Sequence, residues 1–168
     1  MQTVENEAAT MFDGTGLLDR VPDEPAEPAL LADAIDDTRL WVAVAAVAVA
    51  GVGGTDAVVG FALGAWCGTD AHLQELDVVP QWGRRGIGRR LVAEVIAWAG
   101  RNHRERLTLT TFAEIPWNAP FYARLGFSVL PVGSWTDAHR VAWEREREMG
   151  LPMQQRVVMA VPTRDPSG

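Results

Sequence analysis

Residues 83–90 read Gly-Arg-Arg-Gly-Ile-Gly-Arg-Arg. Glycines and arginines this dense suit the binding of an anion. An apolar run (Leu73, Leu76, Val78, Val79) closed by Pro80 precedes the segment, and a helical pattern follows it. Strand, glycine-rich turn and helix start together form a cradle. Glycine lets backbone N–H groups approach a ligand closely, and the first helical turn offers unpaired donors at a positive dipole end. Arg84, Arg85, Arg89 and Arg90 add charge-assisted donors. The chemistry expected of Gly83, Arg84, Arg85, Gly86, Ile87, Gly88 and Arg89 is to hold the pyrophosphate of a nucleotide-like cofactor. The competing reading, a solvated charged face, does not account for the glycines between the arginines.

Two common phosphate motifs fail here. The phosphate loop of nucleoside triphosphatases needs Lys-Ser or Lys-Thr after its second glycine, whereas Arg89-Arg90 follow Gly88. That disfavours an ATP-binding module. A dinucleotide fingerprint needs Gly-x-Gly-x-x-Gly, and position 91 is Leu. The segment instead resembles motif A of the GNAT superfamily, the acyl-CoA-dependent N-acetyltransferases. That motif runs Leu-x-Val-x-Pro and then Gln/Arg-x-x-Gly-x-Gly/Ala. Leu76, Val78 and Pro80 match the first part, and Gly86 and Gly88 the second. The Gln/Arg position falls on Gly83, so a side-chain contact from there is missing and backbone amides must serve.

A second match follows in the expected order. Residues 117–127, Trp-Asn-Ala-Pro-Phe-Tyr-Ala-Arg-Leu-Gly-Phe, resemble the later GNAT motif, in which an Asn leads into a short helix carrying Tyr and ending in Gly. Pro120 suits a first helical turn and Gly126 a helix C-terminus. The resemblance covers about residues 30–162. It implies acetyl-CoA, or coenzyme A, as cosubstrate. It also implies a sheet whose two central parallel strands splay at one end to admit the pantetheine arm. Tyr122 is then the general acid for the departing thiolate as well as a cofactor contact, and Asn118 a hydrogen-bond partner of the cofactor arm. Asn118 is equally well placed as a helix N-cap. Leu76, Asp77 and Val78 line the splay, where a backbone N–H can meet the oxyanion of a tetrahedral intermediate.

Transfer to an amine also needs a base. An alkylamine with a pKa of about 10.4 is almost wholly protonated at pH 7. The resemblance implies Glu75, acting through water. In a regular strand Gln74 and Leu76 point to the opposite face, and Asp77 shares the face of Glu75. Glu114, just after the next strand, is a further candidate, and His72 a weaker one. Trp117 is placed to wall an acceptor pocket and attract a cation, or simply to sit in the core or at its rim. The implied reaction takes an acetyl group to a primary amine, on a small molecule or a peptide N-terminus, by direct attack. The alternative is a binding-only sensor that holds acyl-CoA without turnover. No metal is expected.

Composition sets the bounds. The chain has 168 residues and a net charge of −7, which argues against a nucleic-acid partner. One domain over 1–168 is expected, with a proline- and acid-rich loop at 21–28 and a flexible tail at 163–168. The lone Cys67 excludes an internal disulfide and reads as a small buried hydrophobe. The longest apolar stretch, Leu40–Val52, is too short to span a membrane, and no basic leader precedes it. No membrane partner is expected and a cytoplasmic location is the default. The oligomeric state is left open, a homodimer included.

These residues need elements to position them. Periodicity predicts short helices over Glu5–Phe12 and Ala29–Ile35, and a hairpin of strands Leu40–Ala50 and Ala57–Trp66 around a turn at Gly51–Asp56. A strand over Ala71–Val79, a helix over Gly86–Asn102 and a strand over Leu107–Phe112 follow as a parallel crossover. A helix over Ala119–Leu125, a strand over Phe127–Val132, a helix over Thr136–Met149 and a strand over Arg156–Val161 complete the chain. The fold class is α/β (α+β), with a mixed, largely antiparallel central sheet and flanking helices. GNAT domains usually open with an edge strand. Here it is missing or truncated, or residues 1–4 supply a stub.

Overall fold

The computed structural model describes residues 2–13, 15, 28–49 and 53–163. Helix α1 (Gln2–Ala9) runs into a 3-10 turn, Thr10–Phe12, and α2 (Pro28–Asp36) precedes the sheet. Strands β1 (Leu40–Val49) and β2 (Gly53–Cys67) form the hairpin. Strand β3 (Asp70–Val78), helix α3 (Ile87–Arg101) and strand β4 (Arg106–Phe112) form the crossover. Helix α4 (Ala119–Ala123), β5 (Ser128–Val129), α5 (Asp137–Glu148) and β6 (Arg156–Pro162) follow. The sheet order is β1-β2-β3-β4-β6-β5, and β3 and β4 are the parallel pair. This is the mixed, mostly antiparallel sheet expected.

Several expectations need correction. Gln2–Val4 belong to α1, so residues 2–4 provide no strand stub. The hairpin turn is tighter than Gly51–Asp56, because Gly53–Asp56 already pair with Ala46–Val49. The strand expected over Phe127–Val132 shrinks to Ser128–Val129. Pro131 has no N–H to extend the ladder, and Val132–Ser134 turn instead as a 3-10 helix. Val21–Glu27 and residues 164–168 lie outside the described residues. Pro28 opens α2, and Thr163 is tied down by its N–H to the Glu105 carbonyl (3.0 Å).

Helix α3 forms because Ile87, Leu91, Val95 and Trp98 recur at helical spacing. With Val92 and Ala99 they bury one face in the main core. Gly86 caps the helix at φ +78, a left-handed conformation that glycine takes without strain. At the other end the Asn102 side chain donates to the Trp98 carbonyl. The α3 side of the sheet carries Ala62, Ala71, Leu73, Leu76 and Val78. Helix α1 packs on the opposite face, where Val4 meets Phe61 and Val79.

Two irregularities shape the centre. First, β3 and β4 pair only at Ala71↔Leu107 and His72↔Thr108. Both strands continue beyond that point, so a gap opens between their C-terminal halves. Second, β3 bulges against β2, with Leu63 opposite Glu75 but Gly64 opposite Leu73. Gln74 is the extra residue and is exposed. A bulge bends its strand and reverses the alternation beyond it. Leu73 and Leu76 therefore both face α3, and Glu75 and Asp77 turn towards α1.

Candidate functional site

A cleft of about 690 Å3 occupies the gap at the C-terminal ends of β3 and β4. On the α3 side its wall is Gly83, Arg84, Gly86, Ile87, Gly88 and Arg89. Leu76 and Val78 of β3, with Asn118, Phe121 and Tyr122 beside and within α4, form the middle. Ala8, Met11, Phe12, Pro116 and Trp117 line the α1 side. Because residues from both faces share one cleft, it passes through the sheet at the splay. A second groove of about 500 Å3 shares Arg89, Phe121 and Arg124 with it and follows the seam between α3 and α4.

The cradle is built as the glycines suggest. The N–H groups of residues 84–89 have no backbone partner among the described residues, and the first capping bond is Arg90 N–H to the Gly86 carbonyl. Arg84 sits at φ +60, a conformation uncommon outside glycine, which helps turn successive amides inward. A Cβ on Gly88 would stand 3.4 Å from Phe121 and within 4 Å of Val78 and Leu76, so a side chain there enters the cleft. A Cβ on Gly86 meets nothing, so that glycine serves conformation, not clearance. Arg85 does not line the cleft; its guanidinium lies 4.5 Å over the Trp82 ring.

Asn118 stands at the N-cap of α4, but its side chain does not cap. Its carbonyl takes the N–H groups of Phe121 and Tyr122 (2.8 and 3.1 Å), and its Nδ2 donates to Thr111 Oγ1 (2.9 Å). Its Oδ1 is buried with no hydrogen-bond partner among the described residues. Whichever way the amide is turned, one end lacks a partner. A buried polar atom in this state leaves a hydrogen bond for a ligand to complete. Gly126, at φ +93, ends α4 with paired bonds from Gly126 and Phe127 N–H to the Ala123 and Tyr122 carbonyls. That termination fixes Tyr122, which is 9% exposed and packs edge-on to Phe121 and Phe127. Burial, then the charge of Asp77, raises the phenol above its ordinary pKa, and Arg156 partly opposes this.

Glu75 and Asp77 hydrogen-bond to each other on the α1 face. Burial, then the charges of Asp77 and Glu5, pushes Glu75 up to about 8. Asp77 rises to about 6, with burial as the first cause and Glu5 adding to it, while the bond from Glu75 pulls the other way. Neither side chain lines the cleft wall. Glu114 is exposed and lies outside it. His72 is at the paired end of the strands, 2.9 Å from Thr108 Oγ1. Burial, then the charges of His139 and Arg156, lowers it to about 4, so it is neutral at pH 7. Cys67 is buried, and burial, then Asp70, raises its thiol.

Some wall residues were not anticipated from sequence. Arg124 is the C-cap of α4 and has no fixed place in either motif; its local signal is only a cation beside the helix end. Ala8, Met11 and Phe12 come from the N-terminal helix, far along the chain from both motifs. Trp117, for which a pocket wall and a place in the core or at its rim were both open, lines the cleft and remains 39% exposed.

Comparison with known proteins agrees with this geometry. A GNAT acetyltransferase from Staphylococcus aureus Mu50 is similar in fold, with a TM-score of 0.64 at 14% identity over 97% of this chain and 93% of that one. Rv2747 of Mycobacterium tuberculosis, solved in complex with CoA, has a TM-score of 0.60 at 16% identity, covering 96% and 95% of the two chains. The PaiA N-acetyltransferase of Thermoplasma acidophilum, in complex with coenzyme A, also scores 0.60, at 14% identity over 96% and 89%. No helix among the described residues is long and apolar enough to cross a membrane. Residues 36–129 match the acetyltransferase (GNAT) domain, a span that takes in the hairpin, the crossover, the cradle and α4. The chain belongs to the GNAT acetyltransferase family.

Proposed function

We propose that the protein transfers an acetyl group from acetyl-CoA to a primary amine by direct attack through a tetrahedral intermediate. One observation carries this reading. A single cleft joins five residues whose amides have no backbone partner among the described residues (Arg84 and Gly86–Arg89), a buried amide end on Asn118 likewise without a partner and a phenol held protonated. The coenzyme supplies an activated acyl thioester, and the rest of the chemistry belongs to this chain.

The amides of Arg84–Arg89 hold the pyrophosphate, with Arg84 and Arg89 as charge-assisted donors. Arg124 and the groove between α3 and α4 extend the cradle for the nucleotide end. Asn118 accepts a hydrogen bond from an amide N–H of the pantetheine arm. Backbone N–H groups of Leu76 and Val78, freed where β3 parts from β4, donate to the oxyanion. Tyr122 gives its proton to the departing thiolate. The Glu75–Asp77 pair, set behind the cleft wall, takes the ammonium proton through water.

Calorimetry with acetyl-CoA tests the donor site. The parent should bind, and Gly88→Val should lose affinity at least about tenfold, because the side chain fills the approach to the amides. Equal affinity in both proteins would reject this placement.

A further inference from the structure

We infer that the acceptor is a small aryl-alkyl primary amine. This rests on the acetyltransferase reading and adds the substrate class. The α1 end of the cleft is walled by Ala8, Met11, Phe12, Pro116 and Trp117, with no charged side chain among them. Met11 is 36% exposed and Trp117 39%. Large apolar groups left uncovered at the mouth of a cleft mark a place where an apolar ligand is buried. The wall is also propped in place: Phe12 lies edge-on to Trp117 (6.1 Å between centroids) and tilted on Phe112 (5.7 Å). A flat ring suits such a wall, since aromatic groups favour offset and edge contacts with one another.

Charge is set back from that mouth. Glu5 lies one turn of α1 before Ala8, and its carboxylate acts on Glu75 and Asp77. The Oε1 atom of Glu5 is buried with no hydrogen-bond partner among the described residues. An amine entering with its cationic end first is thus drawn towards three acids set behind this wall, while its carbon frame lies against Met11, Phe12 and Trp117. A linear polyamine needs further acids spaced along the cleft, and the described wall on that side has none. A peptide N-terminus needs several partners for its backbone amides, and the side chains of this wall offer only the Trp117 indole N–H.

The test is a steady-state comparison of phenethylamine and tryptamine with spermidine and an Ala-initiated tripeptide. Free CoA thiol is followed, products are weighed by mass spectrometry, and acetyl-CoA affinity is measured alongside by calorimetry. The aromatic amines should exceed both others in kcat/KM by about tenfold or more. Trp117→Ala should raise the KM for phenethylamine about tenfold and leave acetyl-CoA affinity unchanged. Preference for spermidine or the peptide, with acetyl-CoA still bound and CoA still released, would overturn the aryl-alkyl assignment and leave the acetyltransferase reading intact. So would an unchanged KM in Trp117→Ala. Failure to bind acetyl-CoA, or to release thiol with any amine, would remove the parent reading and this inference with it.

Discussion

Glu75 and Asp77 share a hydrogen bond on the α1 face of the sheet, and burial pushes both carboxyls up. Two buried carboxyls this close cannot both ionise freely, so the pair carries one proton where isolated carboxyls would carry none. It is poised to exchange that proton near physiological pH, as a base must.

Replacement of Glu75 by Gln keeps size and polarity and removes the exchangeable proton. The expected outcome is a fall in kcat/KM at neutral pH of about 10²-fold or more, shrinking as the pH approaches the amine pKa of about 10.4, where free amine is abundant. Loss of acceptor binding alone would instead raise KM equally at every pH. A ratio of parent to variant kcat/KM that stays flat between about pH 6 and about pH 9.5 would rule Glu75 out as the base.

The same residue makes a stability prediction. At low pH the Glu75 carboxyl is protonated in both the folded and the unfolded chain. As pH rises past its ordinary 4.5 towards about 8, the unfolded chain releases a proton that the folded one retains, and stability falls. Glu75→Gln removes that loss. The variant should gain on the parent across this window by roughly 2–5 kcal/mol, read from urea denaturation at acid and alkaline pH. A stability difference that does not change with pH would show that Glu75 is not held protonated by the fold.

Tyr122→Phe deletes a hydroxyl and leaves the packing with Phe121 and Phe127. Turnover should drop by about 10²- to 10⁴-fold, with acetyl-CoA affinity nearly constant, because the proton is needed only as the thiolate leaves. Single-turnover kinetics within about twofold of the parent would contradict the acid role.

Asn118→Ala removes the unpartnered amide and also its bond to Thr111. Acetyl-CoA affinity should weaken by about tenfold. Thr111→Val, which breaks only the supporting bond, should weaken it less. Equal losses in the two variants would mean that Asn118 acts solely by bracing the loop.

The cradle was legible because its signals are local. Gly86 takes a left-handed φ to start α3, Gly126 takes one to end α4, and Pro80 closes β3. Each reflects a backbone requirement that neighbouring residues reveal. The direction of Glu75 was only half legible. Alternation correctly paired it with Asp77, but Ala71 and Leu73 face α3, and a regular strand would have carried both acids into that core. The bulge at Gln74 prevents this, and it exists only through the register with Leu63 and Gly64. The α1 wall was not legible for a related reason. Ala8, Met11 and Phe12 reach the cleft because α1 packs across the sheet, and no spacing within Gln2–Phe12 encodes that.

The most direct measurement is amine-dependent release of free CoA from acetyl-CoA by the purified protein, with the acetylated amine identified by mass. The account predicts stoichiometric thiol and N-acetyl product in the parent, and a loss of both in Tyr122→Phe while acetyl-CoA still binds. Tight acetyl-CoA binding with no thiol released by any amine in a broad panel would contradict it, and would make the protein a binding-only sensor.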